Sequence, residues 1–129
     1  MPYEFAHFSR RQLLSAAACT ALAAWTGGAS AQDPWPSKPI RFVVPFAAGV
    51  SPDVVARIIS DPLSRALGQP VVVDNRAGAA GIIGADIAAK SPPDGYTIFM
   101  AVNSIMGVNP NVYTKLPYDT FHDFTPITQ

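Results

Sequence analysis

"RFVVPFAAGVSPDVVARII", Arg41 to Ile59, decides the fold class. An apolar run stops at Pro45, passes through a turn of small residues and restarts at once with helical spacing. Ile40–Val44 suits a strand buried on both faces. Ser51 can cap the helix that follows, and Pro52 suits its first turn, where a missing N–H costs nothing. Junctions at which strand hands over to helix are where open α/β sheets bind ligands, through backbone groups more than side chains.

Working outward, Val55, Ile58, Ile59, Leu63, Ala66 and Leu67 form one apolar stripe at helical spacing, which predicts the buried face of the helix. Gly68 ends it, and Pro62 is expected to kink or split it near Ile58. "PVVVDN" (Pro70–Asn75) is a second strand. A glycine-rich turn follows, then a short helix near Ile82–Lys90 and a stop at Ser91-Pro92-Pro93. "YTIFMAV" (Tyr96–Val102) is a third strand, and another is expected from Phe124. Strand and helix in alternation predict right-handed crossovers and a mostly parallel sheet with flanking helices. No terminal helix or polar tail closes that sheet before Gln129, so a fragment is the expectation.

Residues 1–31 read as a leader, not as part of the fold. "SRRQLL" (Ser9–Leu14) sets paired arginines before an alanine-rich apolar stretch, and Ala29-Ser30-Ala31 is an A-x-A cleavage site. That order is a secretory signal of the twin-arginine type, cleaved after Ala31, with periplasmic delivery. A membrane anchor fits less well, because the stretch is short and alanine-rich. A lipid anchor at Cys19 would usually have leucine where Ala16 stands. Gln32–Pro39, "QDPWPSKP", is an extended entry segment.

Cleavage removes Cys19, the single cysteine, and with it disulfides and thiolate metal sites. Net charge is +0 and the basic residues are scattered, so neither nucleic acid nor a membrane surface is expected as partner. The aspartates are spread without ligand spacing, and no metal or other cofactor is expected. Ser51 lacks the second glycine of a nucleophile elbow, and His122 stands in a polar segment with no evident partner. Glycines 78, 81 and 84 are spaced G-x-x-G-x-x-G and follow the second strand, unlike a dinucleotide fingerprint. They read as a turn (Gly78, Gly81) and a close helix approach (Gly84). The backbone N–H groups of Ala47, Ala48, Gly49, Val50, Ser51 and Asp53, with the Ser51 hydroxyl, sit instead at a helix N-terminus. There the dipole favours a small anion, most simply a carboxylate.

Taken together, "WPSKPIRFVVPFAAGVSPDVVARII", "LGQPVVVDNRAGAAGIIGADIAAKSPPDGYT" and "NPNVYTKLPYDTFHDFTPIT" resemble the Bug family, the periplasmic substrate-binding proteins of tripartite tricarboxylate transporters. The resemblance runs from about Trp35 to Gln129 and implies the front of the first lobe, residues 32–129, of a two-lobe type II periplasmic-binding-protein fold. It implies a small carboxylate or dicarboxylate ligand, a membrane permease as transient partner, and a monomer when complete. It implies contacts from Phe46–Asp53 and from the loop Val102–Gly107, with Asn103 and Ser104 as polar contacts. Val50 and Pro52 depart from the family's usual glycine pair followed by S-T-D. Val50 brings a branched Cβ where backbone approaches the ligand and where positive φ is expected, and Pro52 removes a donor. The reading is a receptor, not an enzyme. Its rivals are a fragment of a nucleotide-binding α/β enzyme and a non-functional gene remnant.

Overall fold

Ile40–Val44 forms β1, and this most apolar of the strands lies at the centre of the sheet. The computed structural model describes residues 34–128, so the leader reading at Met1–Ala31 lies outside the described residues. After β1 come α1 (Ser51–Leu67), β2 (Val71–Asn75), a 3-10 turn (Ala79–Gly81) and α2 (Ile82–Ala89). β3 (Thr97–Phe99), a π-helical turn (Ser104–Val108) and the short α3 (Asn109–Val112) complete the order. The strands are parallel in the order β2-β1-β3, with Ile40 opposite Val71 and Phe42 opposite Ile98. The chain steps from β1 out to β2, then back across β1 to β3. That reversal creates a topological switch between β1 and β3.

Strand alternation divides the core between two faces. Phe42 and Val44 meet Ala56 of α1, with Val71, Val73 and Ile98 beside them. Phe99, whose side chain points opposite to that of Ile98, joins Ala85 of α2, Ile105 and Tyr118. The two helices therefore cover opposite faces, as right-handed crossovers require. Val43, on the α2 face, is fully buried, so β1 is covered on both sides as its sequence predicts.

α1 overturns the expected burial pattern. Asp53, Ala56 and Ser60 face the sheet, whereas Val55 and Ile59 are exposed and Ile58 is 67% exposed. Of the expected stripe only Leu63 and Leu67 are half-buried. Small side chains let the helix lie close to Phe42 and Val44, and close approach outweighs bulk here. The serine hydroxyls on this face are satisfied within the helix: Ser60 donates to the Ala56 carbonyl and Ser64 to the Ser60 carbonyl, each at 2.7 Å. Ser64 also accepts the Val71 N–H at 2.8 Å, which ties the end of α1 to the start of β2.

Pro62 does not split α1, which runs through it as one element. Pro62 and Ile58 are both exposed, so water can bond the Ile58 carbonyl that loses its helical partner. Gly68 ends the helix at φ 68°, the left-handed conformation that glycine adopts without a Cβ penalty. β3 is shorter than expected, although Met100 N–H still reaches the Val43 carbonyl at 2.9 Å. Among the described residues no strand forms from Phe124. Its ring packs instead on Phe99, 5.3 Å between centroids, and edge-on against Tyr118 at 6.0 Å. Gly84 has the role expected of it: a Cβ there would lie 2.8 Å from Pro45 Cα.

Candidate functional site

Parallel strands end together, so the turn after β1, the glycine turn after β2 and the segment after β3 share the carboxyl edge of the sheet. Packing joins them there. Phe46 packs with Ile105 and Ala85. At Gly81, φ +84°, a Cβ would collide with the Ile105 side chain at 2.4 Å, so only glycine fits beneath the π-helical turn. Asn109 Nδ2 donates to the Ala80 carbonyl at 3.2 Å, and Tyr118 Oη donates to the Ile105 carbonyl at 3.0 Å. The glycine turn thus serves packing, as its spacing suggested.

The turn after β1 differs from its sequence expectation in three respects. Positive φ falls on Gly49, at +87°, while Val50 is extended at φ −86°, ψ 164°, an ordinary conformation for a branched residue. The N-cap position is Val50, whose carbonyl accepts the Val54 N–H at 3.1 Å. Ser51 is therefore the first helical residue and does not cap, and no side chain caps α1. Asp53 points inward, and its side chain is 2% exposed.

Asp53 organises the turn from inside. Its Oδ2 accepts the Gly49 N–H at 2.8 Å and Arg57 Nε at 3.0 Å, and its Oδ1 accepts Asn75 Nδ2 at 2.9 Å. Those bonds, Arg57 first, then Gly49, then Asn75, hold the carboxyl at about 2, against an ordinary 3.8. Asn75 Nδ2 also donates to the Phe46 carbonyl at 3.1 Å, and its Oδ1 accepts from the Arg57 guanidinium at 3.2 Å. With Gly49 committed to Asp53, the N–H groups of Ala47, Ala48, Val50, Ser51 and Asp53 bond no acceptor among the described residues. Ala47–Ser51 are exposed. A row of backbone donors at the positive end of a seventeen-residue helix can hold an anion.

Across the switch point, Asn103 stands at the N-cap of the π-helical turn and Ser104 begins it, and both are exposed. Asn103 Oδ1 lies over Gly107, where a Cβ would come within 2.8 Å. The fold thus brings all the sequence-selected residues, Phe46 to Asp53 and Asn103 with Ser104, to one edge. Phe46 and the Asp53 side chain are turned into the protein. The sequence reading missed Asn75, Arg57, Asn109 and Tyr118. For Arg57 a signal existed, its i, i+4 spacing from Asp53.

Away from this edge, His122 Nδ1 lies 3.0 Å from Asp119 Oδ2 on the surface, and that bond raises the His122 pKa. A shallow concavity of about 340 Å³ lies against Pro39–Arg41 and Val72–Asp74. It is not at the carboxyl edge, and its charged groups, Arg41 and Asp74, pair with each other. Among the described residues no group of three His, Cys, Asp or Glu could hold a metal.

Known proteins share this architecture. A profile described as "Tripartite tricarboxylate transporter family receptor" matches residues 55–129. The "UPF0065 protein in tcbD-tcbE intergenic region" of Pseudomonas sp. (strain P51) is 44% identical over 126 residues, covering 96% of this chain and 36% of its own. MatC from Rhodopseudomonas palustris, solved with bound malate, superposes with a TM-score of 0.69 at 36% identity, over 72% of this chain and 32% of its own. A second R. palustris protein, solved with adipate, gives 0.64 at 42% identity, over 67% of this chain and 29% of its own. The chain spans about a third of the length of the curated relatives it matches. A further similar structure, at 38% identity and a TM-score of 0.66, is that of the periplasmic binding protein BugD. The chain belongs to the tripartite tricarboxylate transporter receptor family.

Proposed function

We propose that this chain forms the front of the first lobe of a periplasmic receptor for a small dicarboxylate. One carboxylate of the ligand would lie against the free backbone donors of Ala47, Ala48, Val50, Ser51 and Asp53, with Asn103 and Ser104 contributing from beyond the switch point. A second lobe would close over the other end, and a membrane permease would read the closed form. The observation that carries this reading is the uncapped N-terminus of α1, whose exposed amides bond no acceptor among the described residues. Malate and adipate in related structures support the ligand class. The protein acts by binding, with no catalytic step. Export is proposed to use the paired Arg10 and Arg11, with cleavage after Ala31.

Amide chemical shifts of the chain titrated with malate provide the test. The amides of Ala47, Ala48, Val50, Ser51, Asp53, Asn103 and Ser104 should move saturably, while those of β2 and α2 stay in place. A uniform drift matched by sodium chloride would reject the carboxylate site. Periplasmic yield after replacing both arginines with lysine tests the export route separately, and an unchanged yield would reject it.

A further inference from the structure

On the reading above, the loop after β1 must hold its amides in one arrangement before a ligand arrives, and something outside the loop must fix it. One side chain, at the end of the neighbouring strand, bonds both ends of the loop. Asn75 is the last residue of β2, opposite Val44, and its backbone is anchored by the sheet. From there Nδ2 grips the Phe46 carbonyl at 3.1 Å and the Asp53 carboxylate at 2.9 Å, the two ends of the loop. Its Oδ1 accepts from Arg57 at 3.2 Å, which fixes the amide's orientation, since an amide flipped by half a turn would set oxygen against oxygen at both loop contacts. Asp53, so oriented, captures the Gly49 N–H at 2.8 Å and holds Gly49 at φ +87°.

We propose that Asn75 is a positioning residue for ligand binding. By latching both ends of the loop Phe46–Asp53, it determines which amides are turned inward to Asp53 and which are presented at the carboxyl edge. Asn75 does not touch the ligand. It acts through Asp53 and the Phe46 carbonyl, with Arg57 as the brace that keeps its amide the right way round. The inference rests on the carboxylate reading for its purpose, and on the hydrogen-bond pattern alone for its mechanism.

The test uses the chain with Asn75→Asp, which keeps the shape and the Arg57 contact but replaces both donors with acceptors. Arg57→Gln, on the exposed face of α1, is the second variant. Two quantities are read by nuclear magnetic resonance: the titration midpoint of the Asp53 carboxyl and the exchange rate of the Gly49 amide. In Asn75→Asp the midpoint should rise toward the ordinary carboxylate range, and Gly49 exchange should quicken at least tenfold. The Phe42–Val44 amides should keep their protection. Malate binding should weaken about tenfold. Arg57→Gln should also raise the Asp53 midpoint, since Arg57 does most to lower it, but should quicken Gly49 exchange by less, because the Asn75 bonds to the loop remain. An unmoved Asp53 midpoint with unchanged Gly49 exchange would overturn the latch. So would a loss of protection spread equally over β1, which would mark Asn75 as a general support of the sheet. If both quantities shift while the unsubstituted chain shows no response to malate, the latch stands and the carboxylate reading fails.

Discussion

If the sheet-facing side of α1 is the one carrying Ala56, enlarging that residue should destabilise the protein far more than removing a bulky apolar side chain from the opposite side. Ala56 is 0% exposed against Phe42 and Val44, so Ala56→Leu forces an isobutyl group into packed space. Overpacking of this kind costs about 1–3 kcal/mol. In a domain of this size that lowers the melting temperature by roughly 4–8 °C per kcal/mol. Ile58→Ser removes much more apolar volume, yet Ile58 is 67% exposed. Full burial of such a side chain is worth about 1.5–3 kcal/mol, and a third of that leaves about 0.5–1 kcal/mol at stake. Isoleucine and serine have similar helix propensities, so that contribution cancels. Urea unfolding of both variants, compared at constant m, measures the difference. A larger loss for Ile58→Ser than for Ala56→Leu would mean that the apolar stripe read from the sequence does face the sheet, and would refute the orientation of α1.

Acid should act on the Asp53 cluster with a definite sign. The folded carboxyl lies at about 2 and the unfolded one near 3.8, so its stabilisation is complete above the unfolded value and is lost as pH falls through the folded one. Urea midpoints measured from pH 6 to pH 2 should therefore drop below pH 4, and Asp53→Asn should flatten part of that drop; an identical profile in the variant would contradict it. Val50→Ser should cap α1 through the Asp53 N–H and stabilise the protein by about 1 kcal/mol. By occupying a donor of the proposed site it should also weaken the malate response, and stabilisation with an undiminished response would show that this end of the loop does not meet the ligand.

What the sequence made legible was the chain of elements. β1 matches its sequence-read bounds, Ile40–Val44, because a short apolar run flanked by prolines leaves few alternatives. The crossover order followed from strand and helix alternating, and with it the placing of both loops at one edge. Burial on α1 was not legible, because periodicity reports where apolar residues are and not which face finds a partner. Ala56 and Ser60 win the sheet by being small, which no hydrophobic pattern scores. The positive φ went to Gly49 instead of Val50 for a tertiary reason: the carboxylate of Asp53 draws the Gly49 amide inward. Asn75 was invisible for a related cause. An asparagine at the end of a strand reads as a turn former, and its two loop contacts lie 22 and 29 residues away in sequence.

The Asp53 cluster also bears on whether an anion can bind beside an aspartate. A carboxylate in the first turn of a helix normally satisfies the dipole itself and repels a second negative group. Here its oxygens are occupied by Gly49, Arg57 and Asn75, and the guanidinium 3.0 Å away offsets its charge. Asp53 therefore fixes the backbone without competing for the outward amides. At Val50, where serine, threonine or aspartate would stabilise the helix, a side chain with no acceptor leaves those amides unbonded. An acceptor at position 50 would close the proposed site from within. An unpaired Asp53 would oppose the guest electrostatically. A helix built in this way gives up a cap and accepts an internal ion pair, and the joint result of those two choices is a positive helix end whose outward amides have no acceptor among the described residues, as the proposed anion site requires.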